Sequence, residues 1–437
     1  MSLALVAILL FLSIFLLILY GYPVAFTLGG LSLIYGLCFL DFGDLGLLPN
    51  RVMGVMENYL LLAVPLFIFM GIMLEKSGLA ERLLTTMTAL FGRLSGGMAI
   101  SVVLVGALLA ASTGIVGATV VTMGLISLPS MLRSGYRPEL ATGVIAASGT
   151  LGQIIPPSVV LVLLGSVLGV SVGQLFQAAL WPGLILVVAY IIYILIYGLL
   201  QPNKVPRLSD EELIAFRKGK AGESTHFALR LLGSLVLPLL LIFAVLGSIF
   251  AGWASPTEAA AIGAAGATLL TIAQRRFSFQ TLKDVSVETT HLTSMVFMIL
   301  LGATTFSLVF RQLGGDRFLI QLIEQADLSA NVFLALVMLV VFVAGFFIDF
   351  IEIIFIIVPV VAPLFQALGI DLVWIGVLLG LNLQTSFLTP PFGFSLFYLK
   401  GVSPPEVKTG HLYRGIIPFL VIQLLVIVGV IIWGQYW

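Results

Sequence analysis

The chain has 437 residues, of which 60% are hydrophobic and 9% charged, with 20 basic residues against 20 acidic ones. A soluble domain carries roughly 25% charged residues, so no water-soluble fold could hide this much apolar surface, and lipid must be its solvent. Zero net charge leaves no basic surface for nucleic acid, and the single cysteine, Cys38, excludes an intrachain disulfide and a cysteine-cluster metal site.

The first apolar run, 3–20, lacks a basic leader and a small-residue cleavage site and is followed by Gly21-Tyr22-Pro23, so it reads as the first helix and not as a signal peptide. Further apolar runs follow at 24–40, 60–74, 97–111, 115–132, 140–168 and 175–200. The polar segment 201–226 then divides the chain almost in half. Beyond it the runs resume at 229–250, 257–273, 290–308, 330–347, 351–368, 372–399 and 415–433. Each is long enough, or nearly so, to be a helix in lipid, where every backbone polar group must be bonded internally. The expected fold class is an all-α polytopic membrane protein.

Three landmarks recur in the same order in both halves. A glycine-aromatic-proline turn precedes a small-residue helix: Gly21-Tyr22-Pro23, then Gly252-Trp253-Ala254-Ser255-Pro256. An apolar run is interrupted at its middle by Ala111-Ser112-Thr113-Gly114, and again by Gly345-Phe346-Phe347-Ile348-Asp349. A later span is broken by Pro156-Pro157, and again by Pro390-Pro391. The pattern predicts two repeats. The first covers 1–200, with a re-entrant hairpin at about 97–132 and a broken helix at about 138–168. A cytoplasmic linker covers 201–228, and the second repeat covers 229–437, with its hairpin at about 330–368 and its broken helix at about 371–400.

Basic residues set the expected orientation. With the segment 201–226 in the cytoplasm and both hairpins re-entrant, Lys76, Arg82, Arg93, Arg133, Arg137, the basic residues from Lys204 to Arg230, Arg275, Arg276, Lys283, Lys400, Lys408 and Arg414 lie inside. Arg51, Arg311 and Arg317 lie outside, and both termini are periplasmic. The first hairpin then opens to the cytoplasm and the second to the outside, which makes the repeats inverted.

Unwound backbone at membrane depth is tolerated only inside protein or against water, and it leaves carbonyls, amides and hydroxyls free. Hard cations take oxygen ligands. One candidate sodium site therefore comprises Ser112, Gly114, Ser148, Gly149 and Thr150, and a second comprises Gly345, Asp349, Gln384, Thr385 and Ser386. Helix N-termini after each break can cradle a carboxylate. The substrate candidates are Ser112, Thr113, Gln153, Thr385, Thr389 and Pro390. The alternative is that these hydroxyls bond back to their own helices. Asp349 and Glu352 share a helix face, and Asp349 is the stronger candidate for balancing a cation. Glu258 reads equally well as a helix-start acid. His226, His291 and His411 are scattered and no phosphate-binding loop is present, so no catalytic site and no ATP hydrolysis are expected.

These segments resemble the large membrane subunit of tripartite ATP-independent periplasmic (TRAP) transporters. The carriers are GWASPTEAAAIGA (252–264), ASGTLGQIIPPS (147–158), AASTGIVGATV (110–120) and TPPFG (389–393), and the resemblance covers essentially the whole chain. It implies a sodium-coupled importer of small carboxylates or similar solutes. A transport domain would move as an elevator against a scaffold, beside a separate small four-helix membrane subunit and a periplasmic substrate-binding protein, in the bacterial inner membrane. One departure stands out. The family's first hairpin tip often reads Ser-Gly-Ser followed shortly by an aspartate, whereas here Ser112-Thr113-Gly114 is followed by no acid before Glu139. The rival expectation is a stand-alone sodium/carboxylate symporter of the same architecture that needs no binding protein.

Overall fold

The computed structural model describes residues 3–114, 116–208, 232–326 and 328–434; the side chains of Ser112 and Thr113 and most of the polar segment lie outside the described residues. The described residues are helical throughout, with no strands. The first half runs α1 (Leu3–Leu19), α2 (Val24–Phe39), the short α3 (Phe42–Leu45), α4 (Leu48–Met56), a 3-10 turn (Tyr59–Leu62) that leads into α5 (Ala63–Lys76), and α6 (Leu79–Phe91). Its hairpin is α7 (Gly97–Thr113) and α8 (Val116–Arg133); its broken helix is α9 (Pro138–Thr150), a 3-10 turn (Leu151–Gln153) and α10 (Val159–Leu168); α11 (Val172–Leu200) follows. The second half runs α12 (Leu237–Phe250), α13 (Pro256–Ala273), α14 (Phe279–Gln312), α15 (Gly315–Gln325), a hairpin of α16 (Ala330–Ala344), α17 (Phe350–Ile356) and α18 (Val358–Ala367), a broken helix of α19 (Leu372–Leu388) and α20 (Phe394–Val402), and finally α21 (Thr409–Gly434).

Local chemistry explains many of the boundaries. Several helices start on side-chain caps: Ser158 accepts from Leu161 N, Ser171 from Gln174 N, Ser255 from Glu258 N, Ser278 from Thr281 N and Asp371 from Val373 N and Trp374 N. Such caps satisfy amides that the helix leaves without a partner. Gly78 and Gly314 take φ +72° and +76° where α5 turns into α6 and α14 into α15, a conformation that costs glycine little.

By length and composition, five stretches could cross a membrane: residues 59–76, α8, α11, α14 and α21; α17 and α18, bent by 51° at their junction, make a sixth. The other apolar helices are shorter, because the sequence breaks them. The apolar runs passed over α4, α6 and α15, whose polar residues lie along one face of an amphipathic helix.

The helices pack into two groups. In one, α2 lies along α14 and α5 along α13. Thr257 Oγ1 donates to Tyr59 O (2.9 Å), Thr271 Oγ1 to Met73 O (3.4 Å), and Lys76 pairs with Glu288 (3.6 Å). In the other, α9 packs on α7, α8 and α21, and α19 packs on α10, α11, α16 and α21. Gln423 Nε2 donates to Tyr190 Oη (2.8 Å) and Trp374 Nε1 to Val430 O (3.0 Å) there.

Candidate functional site

Glycine and small residues let each hairpin close against its broken helix. In the first half, a Cβ on Gly106 would stand 2.6 Å from the Ser148 side chain, and one on Gly152 would meet the Ala110 carbonyl. In the second half, Asn382 Nδ2 donates to Met338 O (2.7 Å), and a Cβ on Gly345 would meet the Ser386 hydroxyl. Ser148 and Asn382 each stand eight residues before the first proline of their break; Gly152 and Ser386 each stand four before it. The two broken helices therefore turn matching positions, eight and four residues before the break, toward their hairpins, although the hairpin residues they meet are four apart in the first half and seven apart in the second. Both Pro-Pro bonds are cis.

Of the second candidate cluster, this packing brings Gly345 and Ser386 together. Gly345 lies against Ser386, and Gln384, Thr385 and Ser386 are buried. The hydroxyls bond back along the helix: Thr385 Oγ1 to Leu381 O (2.7 Å), Ser386 Oγ to Leu383 O (2.8 Å) and Thr389 Oγ1 to Thr385 O (2.8 Å). A donating hydroxyl keeps its lone pairs, so these oxygens remain available to a hard cation. Thr389 and Pro390 are half-buried at the break itself.

The first cluster is more spread out. Gly114 (φ +62°) lies against Val159, the first residue of α10, with 3.2 Å between an added Cβ and Val159 N. Ser148 instead faces the middle of α7, and Gly149 faces Val120 of α8. Ser148 Oγ donates to Ile145 O (3.2 Å) and Thr150 Oγ1 to Ala147 O (2.9 Å). Along α7, Gly106 and Gly114 are eight residues or about 12 Å apart, so the tip meets residues 152–159 and not Ser148.

Two glutamines stand apart. Gln153 and Gln384 are both 0% exposed, and neither the Nε2 nor the Oε1 of either has a partner among the described residues. Gly380, one turn before Gln384, packs on Ile154 and Leu161, so α19 crosses beside the first break. A buried amide without partners costs about 1–3 kcal/mol, and the first break and α19 carry one each.

The acids have a role that sequence reasoning divided differently. Asp349 is the N-cap of α17: its Oδ1 accepts from Phe350 N (2.6 Å), and its own N–H donates to Glu352 Oε2 (3.1 Å). Glu258 forms the same box with Ser255, accepting from Ser255 N and Oγ at 2.8 Å. Capping is thus common to both sites, and Asp349 differs by sitting half-buried at a hairpin tip while Glu258 is exposed. The capping box, Asp-x-x-Glu before an apolar run, was legible at 349–352.

Long apolar helices, a paired set of hairpins and a paired set of interrupted helices with polar crossings between them define a multi-pass transport permease. The chain belongs to the family of the tripartite ATP-independent periplasmic transporter, DctM component, whose model matches residues 11–435. It is 33% identical over 377 residues (85% of this chain, 84% of the relative) to a C4-dicarboxylate TRAP transporter large permease of Pseudomonas aeruginosa. It is 30% identical over 387 residues (87% and 86%) to an ectoine TRAP transporter large permease of Halomonas elongata. It is 29% identical over 417 residues (95% and 94%) to a sialic acid TRAP transporter large permease of Vibrio cholerae. The fold is also that of the Alcanivorax borkumensis YdaH transporter, with a TM-score of 0.64 at 15% identity over 100% of this chain and 98% of that one. Neisseria gonorrhoeae MtrF gives 0.60 at 14% over 88% and 82%.

Proposed function

We propose that the chain is the sodium-coupled transport subunit of an inner-membrane importer of small organic acids, fed by a periplasmic binding protein and completed by a separate small membrane subunit. The solutes named for the three relatives, C4-dicarboxylates, ectoine and sialic acid, all carry a carboxylate. The observation that carries the reading is that both broken helices meet their hairpins at matching positions, eight and four residues before a double proline. It supports two inverted repeats, 1–200 and 229–437, whose breaks face a common midplane. The residues fit the ion: Thr385, Ser386, Thr389, Gln384 and the Gly345–Asp349 turn offer oxygen donors, with Asp349 as the one full charge. Substrate carboxylate fits Gln153 and Thr389 beside the N-termini of α10 and α20.

The two packing groups support an elevator. The group of α2, α5, α13 and α14 acts as scaffold, and the group of hairpins and broken helices moves, with Gly78 and Gly314 at the joints. The basic residues support cytoplasmic placement of Lys76, Arg133 and Lys400 and periplasmic termini.

The test is uptake of a labelled C4-dicarboxylate, ectoine or sialic acid by liposomes holding the purified permease with its small subunit and binding protein. An inward sodium gradient is expected to drive uptake without ATP. Equal uptake in sodium-free buffer under a proton gradient alone would refute sodium coupling, and full activity without any binding protein would return the stand-alone symporter.

A further inference from the structure

We infer that Glu75 is a two-position latch between scaffold and moving body, held by the Thr122 hydroxyl in this state and by the Arg133 guanidinium in the opposite one. The inference rests on the elevator reading proposed above. Glu75 stands one residue before the end of α5, in the scaffold group. Thr122 Oγ1, on the second limb of the first hairpin, donates to Glu75 Oε1 at 2.6 Å. The neighbouring cation on α5 is already taken, because Lys76 pairs with Glu288 at 3.6 Å. At the other end of the same scaffold segment, Asn58 Nδ2 donates to Ser166 Oγ of α10 at 3.4 Å, so both ends of residues 58–76 touch the moving body through neutral hydroxyls.

The face of α8 that carries Thr122 decides what Glu75 meets next. Residues four and seven further on are Ile126 and Pro129, with Leu125 beside them, and none offers a hydrogen-bond donor; Ser130, one turn past Ile126 and toward the edge of this face, turns its hydroxyl back to Ile126 O at 3.4 Å. Eleven residues on, three turns and within roughly 20° of the same face, is Arg133, about 16 Å along the axis. Arg133 ends α8 and spends only its Nε on Pro129 O, at 3.3 Å, so the rest of its fork is free for a carboxylate.

Direction agrees with this. Glu75 lies at the cytoplasmic end of its span, and α8 runs from the hairpin tip to the cytoplasm. With Glu75 at Thr122, three turns of α8 extend beyond the end of α5 on the cytoplasmic side, as they would with the moving body down. Raising that body by about 16 Å brings Arg133 level with Glu75. A neutral hydroxyl is exchanged for an ion pair across a mostly apolar stretch whose one flanking hydroxyl, on Ser130, is turned back to its own helix, which leaves two favoured stations.

The experiment uses the complete transporter in a Cys38→Ser background. Glu75→Cys with Thr122→Cys and Glu75→Cys with Arg133→Cys are cross-linked by an oxidant or a short bifunctional reagent, with and without sodium and substrate. Phe392→Cys in a parallel protein reports access to the second break. Both pairs are expected to cross-link, with opposite dependence on ligand. In an otherwise unaltered protein, Arg133→Glu should slow uptake roughly two- to fivefold, the range of a part-exposed ion pair, and adding Glu75→Lys should restore it. If access to Phe392→Cys changes with ligand while the Glu75→Cys and Arg133→Cys pair never links, the latch is overturned and the elevator stands. If neither access nor cross-linking changes under any condition, the elevator reading itself fails.

Discussion

The two Pro-Pro breaks follow matching hairpin contacts on their broken helices, yet they differ in cover. Residues 151–165, around Pro156-Pro157, are buried without exception, whereas Pro391 and Phe392 are exposed, Phe392 by 57%. The first break is closed over by neighbours: Ile155 packs on Gly183 of α11 and Ile154 on Gly380 of α19. The second is held by less. Tyr413 Oη donates to Pro391 O at 2.6 Å, and Phe392 meets Phe347 with ring centroids 5.3 Å apart. Equivalent local sequence makes equivalent breaks, and the surrounding helices decide which of them solvent can reach.

The largest effect that could break this comparison is in labelling. In a Cys38→Ser protein, Phe392→Cys should react with a small thiol reagent at least about a hundredfold faster than Ile155→Cys, since a site must open locally before it reacts and opening of a packed core costs several kcal/mol. Equal rates, measured by quenched alkylation, would mean that the two breaks are covered alike. Next in size are the unpartnered glutamines. Gln153→Leu or Gln384→Leu should leave thermal stability equal or higher, because a buried amide without partners is removed, and should cut uptake by roughly ten- to a hundredfold, the value of a hydrogen bond to a charged ligand. Unchanged uptake with a normal melting profile would show that the crossing holds no transported group.

A smaller effect separates the two capping boxes. Asp349→Asn should raise the sodium concentration needed for half-maximal uptake several-fold, with partial rescue at high sodium, since bonds to an ionised group are roughly twice as strong as neutral ones. Glu258→Gln should cost only the helix-start interaction, about 0.3–1 kcal/mol, and leave sodium dependence in place. An Asp349→Asn protein with unaltered sodium dependence would remove Asp349 from the ion site. The smallest effect is at Ser158, which accepts from Leu161 N and donates to Gln153 O at 2.9 Å. Ser158→Ala should destabilise the sealed break by about 1 kcal/mol, read as a lowered melting temperature.

Much of this was legible in residue order. Gly345-Phe346-Phe347-Ile348-Asp349 falls between α16 and α17 as the sequence suggested, and the double prolines end α19 and precede α10. In the first hairpin, α7 runs on to Thr113, so the turn falls at Gly114, at the end of the four residues that sequence reading took as the break. What sequence reading missed has physical reasons. Ser148 and Gly114 look like neighbours when only the breaks are matched, but the close approach of Gly106 to Ser148 and of Gly152 to Ala110 sets the register, and it is Val159 that lies against Gly114. The isolation of Gln153 and Gln384 is likewise a matter of which partners are absent in space, and no spacing along the chain encodes it. Amphipathic helices α4, α6 and α15 escaped a search for apolar runs because polar residues along one face interrupt their apolar stretches.

Helix α14 contains 34 residues, about 51 Å at 1.5 Å per residue, against a hydrocarbon layer of about 30 Å. Even standing upright it overshoots the bilayer, and its first turns, with Lys283, Asp284 and Glu288, belong to the headgroups and water. Helix α10 has ten residues and α20 has nine, too few to bridge the same layer. The long helix can therefore meet both faces of the bilayer, as a mast passes through every deck, while the short helices cannot. Lipids that thicken or thin the bilayer by a few ångströms should act first on α14.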